Sequence, residues 1–435
     1  MRFVVALSGD TMITRGALVR ATPAAEALRT LLREADVTFT NLEMVTADHA
    51  GQHTSHPLNP TLTADARVLD ELADIGIDVV SFANNHTLNL GVPGLAGTIR
   101  ELAARRLAHA GVGNSLEEAT LPAYVDRQAG SVAVIACTST FGTGDDASGP
   151  ADLMPPRPGL NPLRFHTRLR VPPEQLTALR AAHRDLGLDE QLKYVVDMGF
   201  LPPLPDERDK RLFGQVFRAA DEPVVETWCD SRDLERIQRW VAEAAERADV
   251  VVVSVHGHEQ GGALTEPAAF QREFAHAVID SGADVVAGHG PHRLRGIEFY
   301  RGCPIFYSLG NFVDQIHLQD RLTPHSYDVF GVAPGSPGAR AAVTSPGFLA
   351  HPEYARSVVA TLTFDDGDLT GVELWPISLG RDRPAAHRGT PELASGAESA
   401  AIGAELTELS QPYGTRLQAR GEWFTVHAAP DHDLR

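Results

Sequence analysis

The side chains best suited to chemistry lie where short apolar segments of the sequence end. Carboxylate, carboxamide and imidazole groups follow five such segments, and this mixture of groups binds divalent metal ions. A single Gly-Asp or Asn-Asn pair is most simply a turn, and a single buried histidine is most simply a core residue. Five endings together need a shared partner, because a buried polar group without one is costly. We therefore predict a shared metal site where these segments end, at positions that include Asp10, Glu43, Asn85, His256 and His289.

Further imidazoles lie beside these predicted ligands and are suited to acid and base chemistry. His86 follows Asn85 directly, and His258 and His292 come shortly after His256 and His289. Imidazole titrates near neutral pH, so it can accept a proton in one step and donate it in another. We predict catalytic roles for His86, His292, Asp10 and His258, while His86 and His292 also remain candidate ligands.

The segments that must position these groups alternate between strand-like and helical patterns, which indicates stacked α/β layers. Open α/β sheets place their ligands at the carboxyl ends of the strands, where the polar groups lie here. The predicted strands are 3–7, 37–40, 79–82, 132–136, 250–255, 285–287 and 305–307. Three helical patterns lie between these strands. The first covers 63–75 and is ended by Gly76. The second is capped by Asp230 or Ser231 and continues to 248, and the third covers 266–280 with Thr265 as its N-cap.

A proline-rich stretch at about 143–229 interrupts this rhythm and contains one clear helical pattern, 174–186. We interpret it as an insertion, which in a compact enzyme acts as a lid or substrate wall or is merely decorative. Arg168 and Arg170 within it are candidates for binding a substrate carboxylate, with ordinary surface arginines as the simpler alternative.

The remaining sequence indicates one large domain. Residues 357–364 and 369–377 alternate like a hairpin, while the last 45 residues carry no clear pattern. We predict a single catalytic domain over 1–390, including the insertion, and a C-terminal extension over 391–435 that packs on it.

Composition excludes several classes of protein. The formal net charge of −19 disfavours nucleic acid and anionic membranes as partners. The apolar run at the N-terminus is too short for a signal peptide, and no segment reaches the roughly 20 apolar residues of a membrane helix. Three scattered cysteines give neither a disulfide framework nor a cysteine zinc site. We therefore expect a soluble, cytoplasmic protein.

The order of the polar motifs resembles that of the CapA-like poly-γ-glutamate capsule-synthesis family, which is similar in fold to the calcineurin-like metallophosphoesterases. The resemblance implies a four-layer α/β fold, with two packed β-sheets flanked by helices and a metal site at one edge. It covers about residues 2–140 and 232–315. The motifs that carry it are Gly9-Asp10, Asn41-Leu42-Glu43, Ala83-Asn84-Asn85-His86, Gly288-His289-Gly290-Pro291-His292 and Tyr307-Ser308-Leu309-Gly310-Asn311-Phe312.

Three departures from these families bear on the metal and the substrate. Asp10 is followed by Thr11 and Met12, so the histidine of the phosphoesterase Asp-x-His motif is missing and one metal subsite is weakened. Asn89 replaces the capsule family's aspartate, and Gly257-His258 replaces its Trp-Gly. The resemblance implies Asp10, Glu43, Asn85, His256 and His289 as metal ligands. We expect one divalent ion, and this oxygen-rich ligand set favours Ca²⁺, Mn²⁺ or Mg²⁺ over Zn²⁺.

The weakened subsite disfavours two-metal phosphoester hydrolysis and leaves one Lewis acid flanked by histidines and carboxylates, which suits proton transfer beside a carbonyl. The resemblance adds that the family includes an epimerase of lasso-peptide biosynthesis. We therefore predict a peptide epimerase that inverts a Cα centre, expected at the C-terminal residue of a ribosomal precursor peptide, with His86 and His292 as the two bases. A metal-dependent hydrolase of a phosphoester or γ-glutamyl amide and a non-catalytic polymer-assembly protein are the alternatives.

Overall fold

Two β-sheets packed face to face form the centre of the fold. The computed structural model describes residues 1–16, 22–46, 61–319, 322–336, 338 and 347–428. The end of the predicted C-terminal extension, 429–435, lies outside the described residues. No helix in the described part of the chain is long and apolar enough to cross a membrane.

The first sheet has ten strands and carries the chain's N-terminal strand at its centre. Its strands are β1 (Arg2–Met12), β2 (Val37–Leu42), β3 (Val79–Ser81), β4 (Ala108–Ala110), β17 (Asn311–Asp314), β18 (Arg356–Asp365), β19 (Asp368–Ser378), β20 (Glu392–Leu393), β21 (Thr415–Arg420) and β22 (Trp423–Ala428). The order is β21-β22-β19-β18-β1-β2-β3-β4, with β17 paired to β1 and β20 paired to β19. Parallel pairing of β1, β2 and β3 brings their carboxyl ends to one edge.

The second sheet has six strands in the order β15-β16-β14-β13-β7-β6. Its strands are β6 (Ala123–Asp126), β7 (Ser131–Thr138), β13 (Val250–His256), β14 (Val285–His289), β15 (Ile297–Tyr300) and β16 (Cys303–Phe306). A separate pair consists of β5 (Val112–Gly113) and β8 (Gly159–Leu160). The parallel strands β7, β13 and β14 end together, as the first sheet's parallel strands do.

The apolar strands bury both faces, which produces the four layers. Along β7, Val132 and Val134 pack into the core between the sheets, whereas Ala133 and Ile135 pack against the outer helices. This alternation follows from the two-residue period of a strand. Because both sheets carry helices on their outer faces, the predicted four-layer α/β fold is confirmed.

The helices complete the outer layers. They are α1 (Pro23–Glu34), α2 (Val68–Ile75), α3 (Gly91–Ala104), α4 (Leu116–Thr120), α5 (Pro173–Asp185), α6 (Leu188–Asp197), α7 (Ser231–Ala245), α8 (Ala269–Asp280), α9 (Pro324–Val329) and α10 (Gly396–Ser410). Asp230 caps α7 by accepting from the backbone of Arg232 and Asp233, and Gly76 ends α2 in the left-handed conformation.

Two predicted helices begin later than expected. The helix predicted from 266 begins at Ala269, because Pro267 forms a β-bridge with Gln260 and Ala268 is the N-cap. The helix predicted from 63 begins at Val68, because Thr63 forms a bridge with Val45. In both cases a β-bridge holds the residues of the predicted first turn in the preceding loop, so the helix begins after them.

The proline-rich stretch contains more regular structure than the one helical pattern that its sequence shows. The stretch contains two helices, α5 and α6, and the four-stranded sheet β9 (Phe165–Val171), β10 (Lys210–Leu212), β11 (Gln215–Ala219) and β12 (Val224–Cys229). Its core is small, with Leu176, Leu212 and Phe217 as its buried residues. Since α6 has no buried residue and the strands are mostly half-buried, their sequences lack the apolar periodicity that would reveal them.

The C-terminal segment joins the first sheet. The predicted hairpin is confirmed as β18 and β19, with Asp366 and Gly367 both at positive φ in the turn. Beyond it, β22 pairs with β19, and Ile402 and Leu406 of α10 lie in the core between the sheets. Residues 391–428 therefore contribute both strands and core side chains to the four-layer fold.

Candidate metal centre

The polar residues that follow the parallel strands meet at the edge between the two sheets. In the first sheet Asp10 pairs in register with Asn41, and in the second sheet His256 pairs with His289. The sheets meet through Asn41, whose Nδ2 donates to Asp10 Oδ1 over 2.8 Å and lies 3.2 Å from His256 Nδ1. Convergence of the strand ends therefore assembles one site, as the sequence predicted.

Glu43 lies at the centre of this site. Its Oε1 is 3.6 Å from His292 Nε2, 3.8 Å from His256 Nε2 and 3.9 Å from His86 Nε2. These separations exceed hydrogen-bond length. Two ligand atoms that each lie about 2.1 Å from one cation are roughly 3 to 3.5 Å apart, close to the observed spacing. The arrangement therefore resembles the ligand set of a cation.

Asp10 forms the second carboxylate of the site. Its Oδ2 accepts from the backbone N–H of Gly290 over 3.0 Å and lies 3.5 Å from His292 Nδ1. Its Oδ1 lies 3.6 Å from His289 Nδ1 and 4.0 Å from His256 Nδ1. The two hydrogen bonds, from Asn41 and Gly290, fix the orientation of the carboxylate while leaving room for a further partner.

Several buried atoms in the site lack a hydrogen-bond partner among the described residues. They are both carboxylate oxygens of Glu43, both ring nitrogens of His289 and Oδ1 of Asn85. Leaving a buried polar atom unsatisfied costs about 1 to 3 kcal/mol, so five such atoms in one place need an explanation. A bound cation satisfies the oxygens and one nitrogen of each imidazole, and the residues present fit such an ion.

Two overlapping groups of side chains have ligand atoms close enough to bind one ion each. The first comprises Asp10, Glu43 and His256, and the second comprises Glu43, His258 and His292. Glu43 belongs to both groups, so its carboxylate is placed to bridge two positions. The structure therefore adds His258 to the candidate ligands and includes His292, which the sequence had left as a base or a ligand. The predicted ligands Asn85 and His289 belong to neither of these two groups.

Burial determines the ionisation of the site in the absence of a cation. Desolvation raises the pKa of Asp10 to about 7, and it raises the pKa of Glu43 well above its ordinary value. Desolvation also lowers the pKa of His258 to about 4 and that of His289 to about 3. A divalent cation favours ionised carboxylates and neutral imidazoles, which are the forms that ligate metals.

His86 and His292 are held in the same way by asparagine side chains. His86 Nδ1 lies 2.7 Å from Asn89 Oδ1, and His292 Nδ1 lies 2.9 Å from Asn311 Oδ1. An amide oxygen only accepts, so in each neutral ring Nδ1 carries the hydrogen and Nε2 carries the lone pair. The two Nε2 atoms lie 3.9 Å and 3.6 Å from Glu43 Oε1, and a lone pair at this position can bind a cation or take a proton.

The backbone at His292 is in an unusual conformation. His292 has a φ of 58°, which is rare for a residue other than glycine. Its ring is held by Asn311 and packs 4.2 Å from the ring of Phe348. Such strain is found at sites where the surrounding structure fixes a functional side chain, which supports a role for His292 in the site.

The loop after β13 presents His258 to the site. His258 Nε2 lies 3.2 Å from His256 Nε2, and Glu259 accepts hydrogen bonds from Ser139 and Thr140. Behind the loop, the buried Arg295 donates to the backbone oxygen of Glu259 over 2.9 Å. These bonds fix the loop, so His258 is held by the protein.

The predicted arginines lie outside this group. Arg168 and Arg170 belong to β9 in the insertion sheet, and they line a cavity of about 340 Å³ with Arg208 and Arg218. Arg168 is paired with Asp209 over 3.1 Å and with Glu226 over 3.2 Å. The structure thus brings together Asp10, Glu43, His86, His256, His258, His289 and His292, and it places the arginines elsewhere.

Sequence reasoning assigned no role to several buried residues of the site. Asn41 links the sheets, and Asn89 and Asn311 orient the two histidines. Asp314 is also buried, its Oδ2 lacks a hydrogen-bond partner within the described chain, and its charge raises the pKa of Glu43. Asn41 and Asn311 lie within the motifs that predicted the site. An asparagine in a sequence can equally be a turn residue, so the sequence alone does not show that these two orient other side chains.

The comparisons with known proteins agree with this geometry. Residues 4–316 match the family described as bacterial capsule synthesis protein PGA_cap. Two uncharacterized proteins of Sinorhizobium fredii, y4uA and y4sH, are each 33% identical over 445 residues, covering 95% of this chain and 91% of theirs. The PGA biosynthesis protein CapA of Bacillus subtilis is 28% identical over 244 residues, covering 56% of this chain and 44% of that protein.

The family match includes every predicted residue of the centre, from Asp10 to His292, and it extends through the insertion. It ends at residue 316, just after the buried Asp314. This family has the metallophosphoesterase-like fold, in agreement with the two packed sheets. The chain belongs to the PGA_cap family of bacterial capsule synthesis proteins.

Proposed function

We propose that this protein is a metal-dependent peptide epimerase that inverts a Cα centre. The observation that carries the proposal is the convergence of two imidazoles on one carboxylate oxygen. His86 extends from the first sheet and His292 from the second, and their Nε2 atoms lie 3.9 Å and 3.6 Å from Glu43 Oε1. Two proton-accepting atoms carried by different sheets thus approach one point, and inversion requires that they reach opposite faces of the substrate carbon there.

The reaction needs a base on one face of the carbon and a proton donor on the other. One imidazole Nε2 takes the proton as the C–H bond breaks, and the electron pair moves onto the adjacent carbonyl oxygen. The other imidazole, protonated beforehand, donates its proton to the opposite face as the new C–H bond forms. A divalent cation held by Asp10, Glu43 and His256 would supply positive charge that stabilises the developing negative oxygen.

Among the ions expected from the sequence, the ligand set favours Mn²⁺. Each candidate group mixes carboxylate with imidazole, and the second group contains two histidines. Ca²⁺ and Mg²⁺ prefer ligands that are all oxygen, whereas Mn²⁺ accepts carboxylates together with imidazoles. We propose one tightly bound ion, because only one group contains both carboxylates, Asp10 and Glu43.

A hydrolase is the second candidate, and the sharing of Glu43 between two ligand groups favours it. A carboxylate that bridges two ions is a feature of two-metal hydrolysis. The Bacillus subtilis relative is named for PGA biosynthesis, which makes a γ-glutamyl amide the corresponding substrate. Hydrolysis consumes water and breaks the amide bond, whereas epimerisation leaves the chain intact.

Incubation of a peptide with the Mn²⁺-loaded protein in D₂O tests the proposal. We expect incorporation of one deuterium at the inverted carbon without cleavage, measured by mass spectrometry and chiral analysis. His86→Ala and His292→Ala should each abolish inversion in both directions, because reversal exchanges acid and base. His427→Ala, at an exposed position on β22, is the matched control.

The other outcomes are equally clear. Cleavage of the peptide would establish the hydrolase, and full activity in either histidine variant would refute the two-base mechanism. If His86→Ala or His292→Ala empties the metal site in elemental analysis, that histidine is a ligand and the mechanism is wrong for that residue.

A further inference from the structure

Arg293, the residue after His292, is an arginine without an anionic partner. It is half-buried, and its Nε is buried without a hydrogen-bond partner in the described part of the chain. No ion pair of Arg293 is found among the described residues, whereas Arg168 pairs with two carboxylates. Burying a guanidinium without its hydrogen bonds is costly, so the protein gains from an anion that binds there.

Arg295, two residues further along, is bound by the fold in a way that Arg293 is not. Arg295 is completely buried, and its guanidinium donates to the backbone oxygens of Leu264 and Glu259 and to the side chain of Gln271. Its donors are used to hold the loop that carries His258. No donor of Arg293 is used within the described part of the chain, so these donors can bind a ligand.

A row of rings connects Arg293 to the proposed base. The guanidinium carbon of Arg293 lies 5.9 Å from the ring of Tyr354, which lies 5.2 Å from the ring of Phe348. Phe348 in turn packs 4.2 Å from the ring of His292. The backbone oxygen of Tyr354 also accepts from Asn311, the residue that orients His292. The Arg293 guanidinium is therefore linked to the His292 imidazole through two aromatic rings in contact.

We propose that Arg293, Phe348 and Tyr354 form a subsite for a peptide carboxylate on the His292 side of the metal centre. The guanidinium fork matches a carboxylate in a bidentate geometry. The adjacent rings offer a surface for a large apolar side chain on the same peptide. Either the C-terminal carboxylate or an acidic side chain beside the reacting residue supplies the required charge. This inference rests on the proposed function and names its substrate class.

Three acetylated tripeptides test the subsite by calorimetric titration of the Mn²⁺-loaded protein. The first is alanyl-alanyl-phenylalanine with a free C-terminal carboxylate, and the second is the same peptide as its amide. The third, alanyl-glutamyl-phenylalanine amide, carries its charge on a side chain. We expect the amide without a glutamate to bind at least about tenfold more weakly than one of the charged peptides. Which charged peptide binds more tightly identifies the source of the carboxylate.

The substitution Arg293→Gln assigns that preference to the arginine. It should reduce the ratio of affinities for charged and uncharged peptides to about one. Arg301→Gln is the matched control, because Arg301 also lies over a tyrosine ring, 5.6 Å from that of Tyr300, but is paired with Asp280. This control should keep the wild-type ratio.

The outcomes separate this inference from the proposed function. Equal binding of all three peptides by the wild-type protein would overturn the subsite without any variant. Retention of the preference in Arg293→Gln would also overturn it, since the metal centre alone would then bind the carboxylate. If the preference depends on Arg293 but no peptide exchanges deuterium, the subsite stands and the epimerase proposal fails.

Discussion

At the scale of single residues, Glu43 is the side chain on which the centre depends most. It is completely buried and belongs to both ligand groups, and neither of its carboxylate oxygens has a hydrogen-bond partner among the described residues. Neighbouring carboxylates, Asp10 and Asp314, raise its pKa further, after burial itself. A residue so placed serves the fold poorly without a cation, so its presence is best explained by metal binding.

The substitution Glu43→Gln tests this explanation, because it removes the charge and preserves the size of the side chain. We expect the wild-type protein to bind about one equivalent of Mn²⁺ and the variant to lose at least 10- to 100-fold in affinity, the range typical of merely supporting residues. Elemental analysis and calorimetric titration measure both. Glu298→Gln changes another buried glutamate, which pairs with Arg272 and lies outside the site, and it should keep the metal. Unchanged metal content in Glu43→Gln would refute the proposed metal centre.

At the scale of elements, the close approach of β1 and the turn before β17 fixes the position of Asp10. A Cβ atom on Gly9 would lie 1.9 Å from the backbone oxygen of Gly310, so only glycine fits. The next residue, Asp10, donates its backbone N–H to that same oxygen over 2.9 Å. The geometry of the carboxylate therefore depends on a neighbouring position that has no side chain.

Gly9→Ala should consequently damage both stability and the site. We expect a loss of about 1 to 3 kcal/mol in the free energy of unfolding, the usual cost of overpacking, and weaker Mn²⁺ binding as Asp10 shifts. Urea denaturation and calorimetric titration measure the two effects. Gly371→Ala on β19 is the control, since a Cβ there would lie 3.8 Å from Thr363 in ordinary contact. Equal stability of the two variants would show that β1 can move.

The sequence predicted the elements that carry strong periodicity and missed those that do not. β7 and β13 bury both faces and were found from their valine-rich runs, as was α7 from its apolar stripe and its Asp230 cap. The polar residues at the strand ends were expected to lie close together, because parallel strands bring their carboxyl ends to one edge of a sheet. The insertion sheet was missed because its half-buried strands, such as β9, alternate too weakly.

Some residues of the site were not predicted from the sequence, for a similar reason. His292 comes from the second sheet and Asn311 from the first, 19 residues apart, and their contact depends on how the sheets pack. Phe348 reaches His292 from still further along the chain. A sequence pattern reports local periodicity, so contacts between layers of this kind are visible only once the fold is known.

At the scale of the whole molecule, the insertion lies against the loop that carries His258. A cavity of about 960 Å³ is lined by Arg170 and Val225 of the insertion and by Gly261 and Gly262 of that loop. The same loop carries His258, which forms a candidate ligand group with Glu43 and His292. The insertion is therefore placed beside the loop that carries one of the candidate ligands.

The two predicted arginines of the insertion should behave differently when they are replaced. Arg168 is paired with Asp209 and Glu226 and lies over the ring of Trp228, so Arg168→Ala should destabilise the insertion by about 1 to 2 kcal/mol, less than a fully buried pair would cost. Arg170 Nε has no hydrogen-bond partner among the described residues, so Arg170→Ala should change stability by less than about 0.5 kcal/mol.

The effect on activity tests whether the arginine-lined cavity of the insertion binds an anionic peptide. If it does, Arg170→Ala should raise KM several-fold while kcat and Mn²⁺ content stay unchanged, because the residue contacts substrate away from the reacting carbon. Denaturation, steady-state deuterium exchange and elemental analysis of both variants separate the two roles. Arg180→Ala, on the α5 side of the insertion, controls for the loss of any positive charge. Unchanged KM in Arg170→Ala would mean that the arginine cavity serves no substrate and that the insertion contributes to the fold alone.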